Sequence, residues 1–500
     1  MAKQHYDFEK VFDVVLAFNS ETRYENLLDI ILTKMMEITR SDGGTLYIVE
    51  DGKLHYRILK NISLGVFQSE GEINLPPIVL DAKNIENVSA YAALKNEIVM
   101  VDDVYSSHKF NFTGPKNFDK LTGYTTKSML TLPLSVSRSE DQEVLGIMQL
   151  INATDTETGE TVPYGNIFAP PVITALANLA ANTLANLIHM RDIKMLFYSF
   201  VAVMTQAIDE RSRHSSTHTQ TMAEFCRNFA LYLGANFPPD HPYYFDDARI
   251  EKLTVAALLH DIGKIVTPVH IMDKTNRLGE RIYLLRHRFE IKRHQLEIDF
   301  LKGIITKQAH EAEEKALDAA LALVETVDPA GILSEEKFSQ VEDLAYITYR
   351  NPQGEIVPLL DDYDMQALST RRGTLTPQER RQMEEHVIVT GRLLDKMSFW
   401  KYHKQYKDVP EWARNHHEFM DGSGYPRGLT AKEIHLETCI MTIADIFEAL
   451  IAADRPYKKP FPVNEALAIL KEMANEGKLH KEMVELFTKS KVWEKEGLHA

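Results

Sequence analysis

Two short stretches hold the residues whose types and spacing can do chemistry. In LTVAALLHDIGKI an imidazole and a carboxylate are adjacent, His260 and Asp261, and Lys264 follows one turn later. Leu253, Ala256, Ala257 and His260 keep helical spacing, so the imidazole shares the inward face of an apolar stripe. A lone histidine there is most often a satisfied core residue. An imidazole, a carboxylate and an ammonium buried together need one another or a metal. A carboxylate in that position can bridge two hard cations while the ring takes one of them. The second stretch is NHHEFMDGSGYPRGL, residues 415–429, where His416 and His417 supply two neutral nitrogen ligands. Gly422 and Gly424 then let the backbone turn tightly before Tyr425-Pro426. Glu418 and Asp421 are either partners of these histidines or turn formers.

The elements that must position these groups follow from periodicity. Residues 24–40 carry apolar positions at helical spacing, with Leu27, Leu28, Ile31, Leu32 and Met35 on one side. Strand-like runs follow at 44–49, 54–58, 128–136 and 144–151, separated by polar turns such as Asp51-Gly52. This describes an α+β domain ending near Tyr164, where Pro163 and Gly165 punctuate the chain. From 172 to 208 the sequence is nearly uninterrupted helix. Asn178, Asn182 and Asn186 lie four residues apart on one face, the pattern of a parallel dimer whose polar residues set register. Those asparagines also argue against a membrane span.

Five hundred residues, 44% apolar and 26% charged, fit two or three soluble domains. The two cysteines, Cys226 and Cys439, are too few for a disulfide framework and fit reducing cytosol. A net charge of -16 leaves no basic footprint for nucleic acid or an anionic membrane. The first ten residues carry no apolar signal core. A cytoplasmic location is expected.

The first 165 residues resemble a GAF domain, a small-ligand sensor fold, through TGYTTKSMLTLPL at 122–134 and LGIMQLINA at 145–153. Of the signature carried by cyclic-nucleotide-binding GAF domains, only Asn117-Phe118-Asp119 is suggestive, so the ligand stays open.

The later part resembles the HD-GYP family, metallohydrolases that degrade cyclic di-GMP. The resemblance makes His260 and Asp261 the name-giving pair and Lys264 the lysine beside the metals. It assigns His218 in DERSRHSSTHTQTM, His386 in LTPQERRQMEEHVIVTGRLL, His416, His417, and Asp445 in IADIFEAL as further metal ligands. Arg455 and Lys458 in DRPYKK match the basic residues that hold substrate phosphate. Two divalent metals, iron or manganese, are implied. His214, one turn before His218, stands where some family members bind a third metal through glutamate. Histidine there is either an extra ligand or a hydrogen-bonding neighbour.

The resulting expectation is a GAF-like α+β sensory domain (1–165), a connecting signalling helix (166–208) and an all-α HD-type catalytic domain (209–490). A charged helical insertion at 279–374 departs from the family's short segment, and its His287, His294 and His310 are expected at the surface. The implied activity is hydrolysis of cyclic di-GMP to the linear dinucleotide or on to GMP, in a homodimer regulated by an unknown small GAF ligand. The hybrid cyclic GMP-AMP as substrate, and a receptor without turnover, are the alternatives.

Overall fold

The computed structural model describes residues 24–69, 71–138, 141–167, 170–211, 217–452 and 460–494. The chain divides into two compact units after Phe197.

The first unit opens with helix α1 (Tyr24–Thr39) and strands β1 (Ser41–Glu50), β2 (Lys53–Asn61), β3 (Val66–Ser69) and β4 (Ile78–Val79). Helix α2 (Val88–Lys95), β5 (Val99–Val101), α3 (Thr113–Thr122), β6 (Met129–Arg138), β7 (Asp141–Thr154) and β8 (Thr161–Val162) complete it, before the 40-residue helix α4 (Pro170–Asp209). The strands form one sheet of order β3-β2-β1-β7-β6-β5, with β4 on β2 and β8 on β7. All pairings are antiparallel.

Alternation along β1 builds a core on each face: Leu46 and Ile48 point to one, Tyr47 to the other. Leu27, Leu28, Ile31, Leu32 and Met35 of α1 fill the first core, as their spacing predicts. So do Ile173, Leu176, Ala177, Ala180, Ala181 and Leu184 of α4. The first half of α4 is thus part of the sensory domain's own core, and a connecting helix beginning at 166 overlooks this. Asn178, Asn182 and Asn186 are exposed on the opposite side. By length and composition, α4 is the one helix among the described residues that could cross a membrane, but its apolar stripe is committed to this core. On the sheet's other face Tyr47, Ser89, Phe112 and Gln149 line a cavity of about 300 Å³. Phe118 lines this cavity, and Asp119 beside it is buried, accepting hydrogen bonds from the Thr126 amide and hydroxyl and the Tyr105 hydroxyl, each at 2.8 Å.

The second unit contains α5 (His218–Asn236), α6 (Asp247–Leu259), a 3-10 turn (Ile262–Val266) and α7 (Val269–Met272). Next come α8 (Arg281–Leu301), α9 (Lys307–Val327), α10 (Glu335–Asp343), strands β9 (Thr348–Arg350) and β10 (Ile356–Pro358), and α11 (Asp362–Leu368). Helices α12 (Pro377–Lys396), α13 (Phe399–Tyr402), α14 (Val409–Arg414), α15 (Leu436–Ile451), α16 (Val463–Asn475) and α17 (Lys481–Ser490) finish it. Helix α5 packs on α6 and α15. Phe229, Phe447 and Phe487 lock α5, α15 and α17 together, with ring centroids 5.3 Å apart in each contact.

The insertion is not merely a set of charged exposed helices. Leu285, Phe289 and Leu296 of α8 meet Leu317 and Val324 of α9 and Leu359, Ala367 and Leu368 in a core of its own, and β9 and β10 form a hairpin. His310 is buried with Nε2 3.2 Å from Glu297, against the surface position expected for it; His287 and His294 are exposed. The insertion is tied to the helical domain through Tyr363, whose hydroxyl donates to Glu379 at 2.7 Å, a carboxylate that also pairs with Lys274 at 2.7 Å. The Arg277 side chain, wholly buried, donates to the carbonyls of Val327 (2.6 Å) and Thr370 (2.8 Å).

Candidate metal centre

Five elements deliver the site, the fifth being α15, which carries Asp445. Helix α6, capped at Asp246 by the Arg249 amide, ends at Leu259, so His260 and Asp261 emerge from its C-terminus. Helix α5 begins at His218. Helix α12 starts with a capping box, Thr376 and Glu379, with Pro377 in its first turn, and carries His386 two turns on. Helix α14 ends at Arg414 and the chain turns through His416 and His417, with Thr442 of α15 donating to the His416 carbonyl at 2.8 Å.

Two glycines permit the approach. A Cβ on Gly263 would sit 1.9 Å from the His386 carbonyl oxygen, so only glycine lets the turn after Asp261 lie against α12. The Gly263 amide donates to Thr390 Oγ1, which itself donates to the His260 carbonyl, both at 2.9 Å. A Cβ on Gly424 would meet the Phe419 amide nitrogen at 2.3 Å. The loop there folds back so that the Tyr425 amide donates to the His417 carbonyl at 3.1 Å. Glu418 is a loop former, accepting from the amides of Arg427 and Leu429, and Asp421 accepts from Ser423. Neither contacts the histidine rings through these bonds.

Asp261 lies at the centre. Its Oδ2 is 3.1 Å from His260 Nε2, 3.8 Å from His218 Nε2 and 2.5 Å from Lys264 Nζ. Its Oδ1 is 3.2 Å from His386 Nε2 and 4.0 Å from His416 Nε2. Asp445 reaches His218 Nε2 at 3.2 Å with Oδ1 and His417 Nδ1 at 3.8 Å with Oδ2. Ligand atoms of His218, His260 and Asp445 lie within 4.8 Å of one another; those of His386, His416 and His417 do the same, as do those of His260, Asp261 and His416.

The hydrogen bonding fits a metal at each group. His260, His386 and His416 face the carbonyls of Ala257, Met383 and Ala413 through Nδ1 at 2.6–2.7 Å, which fixes the ring proton there. Their Nε2 atoms, and Asp261 Oδ1, are buried without a hydrogen-bond partner among the described residues. Lone pairs thus face the Asp261 carboxylate at 3.1 Å from His260, 3.2 Å from His386 and 4.0 Å from His416, an arrangement of acceptor against acceptor that a cation between them would resolve.

Both carboxylates are held in their charged form. Burial pushes the Asp261 carboxyl up, but His260 and Lys264 outweigh it and hold it well below the usual range. Asp445 is likewise held down, against burial, by His218. Burial and neighbouring His417 and His260 hold His416 neutral, and burial lowers His417 to about 4. His218 differs: burial lowers it, yet Asp445 and Glu448 raise it to about 10. Its Nδ1 is bonded to Glu448, which sits three residues after Asp445 and so on the same face of α15.

The structure therefore brings together His218, His260, Asp261, Lys264, His386, His416, His417 and Asp445. Sequence reasoning missed Glu448, although its position one turn from Asp445 in IADIFEAL was a usable signal. It also missed Asp209, whose buried carboxyl is raised and accepts from Thr219 Oγ1 at 3.1 Å. His214, Arg455 and Lys458 lie outside the described residues.

The GAF domain family matches residues 23–184, and HD domain families match residues 216–340 and 364–482. The 3'3'-cGAMP-specific phosphodiesterase 3 of Vibrio cholerae is 42% identical over 106 residues, 21% of this chain and 22% of that one. The 3'3'-cGAMP-specific phosphodiesterase 1 of the same organism is 24% identical over 292 residues, 58% of this chain and 41% of that one. The cyclic di-GMP phosphodiesterase of Thermotoga maritima is 39% identical over 118 residues, 23% of this chain and 30% of that one. The chain thus spans less than half the length of each of these relatives. It carries an N-terminal GAF domain followed by HD domain segments, and the curated relatives it matches are cyclic di-GMP and 3'3'-cGAMP phosphodiesterases.

Proposed function

We propose that this protein is a metal-dependent phosphodiesterase that opens a cyclic dinucleotide. The observation that carries this reading is Asp261, a buried carboxylate with unpartnered imidazole nitrogens facing both of its oxygens. His218, His260 and Asp445 would hold one divalent cation, and His386, His416 and His417 a second, with Asp261 shared. When bound, such cations supply Lewis acidity at a phosphate oxygen and bring the pKa of a water toward neutrality. Iron and manganese are the metals this mixed imidazole and carboxylate set suits and the family resemblance implies.

The chain's own residues do the rest. The backbone carbonyls behind His260, His386 and His416 keep the rings from turning. Lys264 places an ammonium beside Asp261, where it offsets charge growing on the phosphoryl oxygens. Arg455 and Lys458 add substrate contacts by resemblance. The product is the linear dinucleotide, with further cleavage to mononucleotides left to experiment.

Two of the relatives above are named for 3'3'-cGAMP, which favours the hybrid dinucleotide as a second reading of the substrate. Anaerobic incubation of iron- or manganese-loaded protein with cyclic di-GMP and with 3'3'-cGAMP, followed by chromatography, tests both. Loss of either with appearance of its linear form is expected. Both substrates unchanged with both metals would overturn the enzymatic reading in favour of a receptor.

The protein is further proposed to act in the cytoplasm as a homodimer, with a small ligand in the GAF cavity regulating it. Exposed Asn182, Asn186, His189, Ile193 and Leu196 on α4 alternate at spacings of four and three, the seam of a two-stranded coiled coil.

A further inference from the structure

An open cavity of about 1080 Å³ lies between the insertion and the helices that carry the candidate metal centre. One wall is the segment from Val269 to Asn276; another is the first turns of α12, with Gln378 and Gln382; the third is the start of α8, with Ile282 and Tyr283. Gln378, Gln382 and His386 are spaced by four residues and share a face of α12, so the cavity follows the face that aims His386 at Asp261. Gln382 is one helical turn, about 6 Å of axis, from His386.

Its chemistry is not that of an anion site. The cations in its wall are already committed: Lys274 to Glu379 at 2.7 Å, and Arg281 to Asp364 at 2.8 Å and to Asp361. What remains is amide, aromatic and aliphatic, with His270 and the carboxylates Asp273 and Glu280 also in the wall. Asn276 has a buried Oδ1 with no hydrogen-bond partner among the described residues, an acceptor lacking an N–H. Gln378 and Gln382 are exposed, each with a donor and an acceptor on one planar group, and Tyr283 is 63% exposed. Paired amides match the donor and acceptor edge of a purine, and an open tyrosine ring offers a stacking face.

We propose that this cavity takes a purine base of the cyclic dinucleotide, with Asn276, Gln378 and Gln382 meeting its edge and Tyr283 its face. The inference rests on the phosphodiesterase reading above and adds to it a role for the insertion: it closes one side of a base-binding subsite beside the reacting phosphate.

The test uses the full metal-loaded chain with two substrates, the cyclic dinucleotide and bis(4-nitrophenyl) phosphate, a diester with no base. The double substitution Gln378→Ala and Gln382→Ala changes exposed helix positions only, and Asn276→Ala is made separately. For the double variant KM toward the cyclic dinucleotide should rise about tenfold, with metal content and bis(4-nitrophenyl) phosphate turnover unchanged. An unchanged KM would overturn the base subsite and leave the phosphodiesterase reading standing. An equal loss on both substrates would overturn it too, by showing a structural role. Wild-type protein that cleaves bis(4-nitrophenyl) phosphate but neither cyclic dinucleotide would overturn both readings together.

Discussion

Glu448 holds Nδ1 of His218 while Asp445, one turn earlier on the same helix, stands 3.2 Å from its Nε2. One carboxylate therefore orients the ring and the other shares its ligand side. Glu448→Ala should lower metal affinity about 10- to 100-fold, the usual effect of removing the group that orients a ligating histidine. Glu448→Gln, whose amide oxygen still accepts from Nδ1–H, should retain more. Metal titration against a competing chelator measures both, and equal affinities in the wild type and Glu448→Ala would remove Glu448 from the site.

Gly263→Ala places a methyl 1.9 Å from the His386 carbonyl, so either the turn after Asp261 or α12 must move. Overpacking of this kind costs about 1–3 kcal/mol, and here it also separates His386 from Asp261. Thermal unfolding should show a lowered Tm, and metal analysis a loss from the His386 side. A variant with unchanged Tm and metal content would show that the turn has room the structure does not display.

The insertion should be anchored in a pH-dependent way. Burial raises the Glu379 carboxyl, but Lys274, the Thr376 amide and the Tyr363 hydroxyl together hold it below its ordinary 4.5. A carboxyl depressed in the folded state stabilises the fold above its unfolded value, and that stability is lost as pH falls through the folded value. Resistance of the insertion to proteolysis should therefore be constant from neutral pH to about 5 and decline below about 4.5. Glu379→Ala, which leaves Lys274 buried without its partner, should cost about 3–5 kcal/mol at neutral pH. A pH-independent digestion pattern would remove the Tyr363–Glu379 contact as the anchor.

The exposed seam on α4 makes the dimer testable at named positions. Ile193→Asp with Leu196→Asp should convert the proposed dimer to a monomer in light scattering at micromolar concentration, because both exposed positions would face the partner in a heptad seam. A wild-type chain that is already monomeric would contradict the seam.

Much of the centre was legible because its residues are rare types in dense local patterns: His260-Asp261 at the end of an apolar helix, and a histidine pair leading into a glycine-rich loop. His218, His386 and Asp445 came from resemblance, since nothing in their own spacing joins separate helices. Glu448 escaped although it lies one turn after Asp445, because its role shows only once His218 is found bonded to it at Nδ1. The insertion was misjudged for a related reason. On α8 the buried positions Leu285, Phe289 and Leu296 are diluted by Arg286, Arg288, Lys292 and Arg293, so charge density masked a core completed by later segments, α9, α10 and α11 among them. The boundary at 165 followed turn residues, whereas Ile173 to Leu184 fill a core whose other side is more than a hundred residues earlier.

The central claim is that two cations share Asp261, and magnetic coupling tests it most directly. Manganese-loaded wild-type protein, prepared anaerobically and examined by electron paramagnetic resonance with metal content measured in parallel, should hold at least two manganese ions per chain and show the spectrum of an exchange-coupled pair. Asp261→Ala should lose metal, and whatever manganese remains should give the uncoupled signal of an isolated ion. A third equivalent in the wild type that is lost in His214→Ala would assign His214 a ligand role. Wild-type protein binding a single manganese, or two without coupling, would contradict the shared carboxylate on which the account rests.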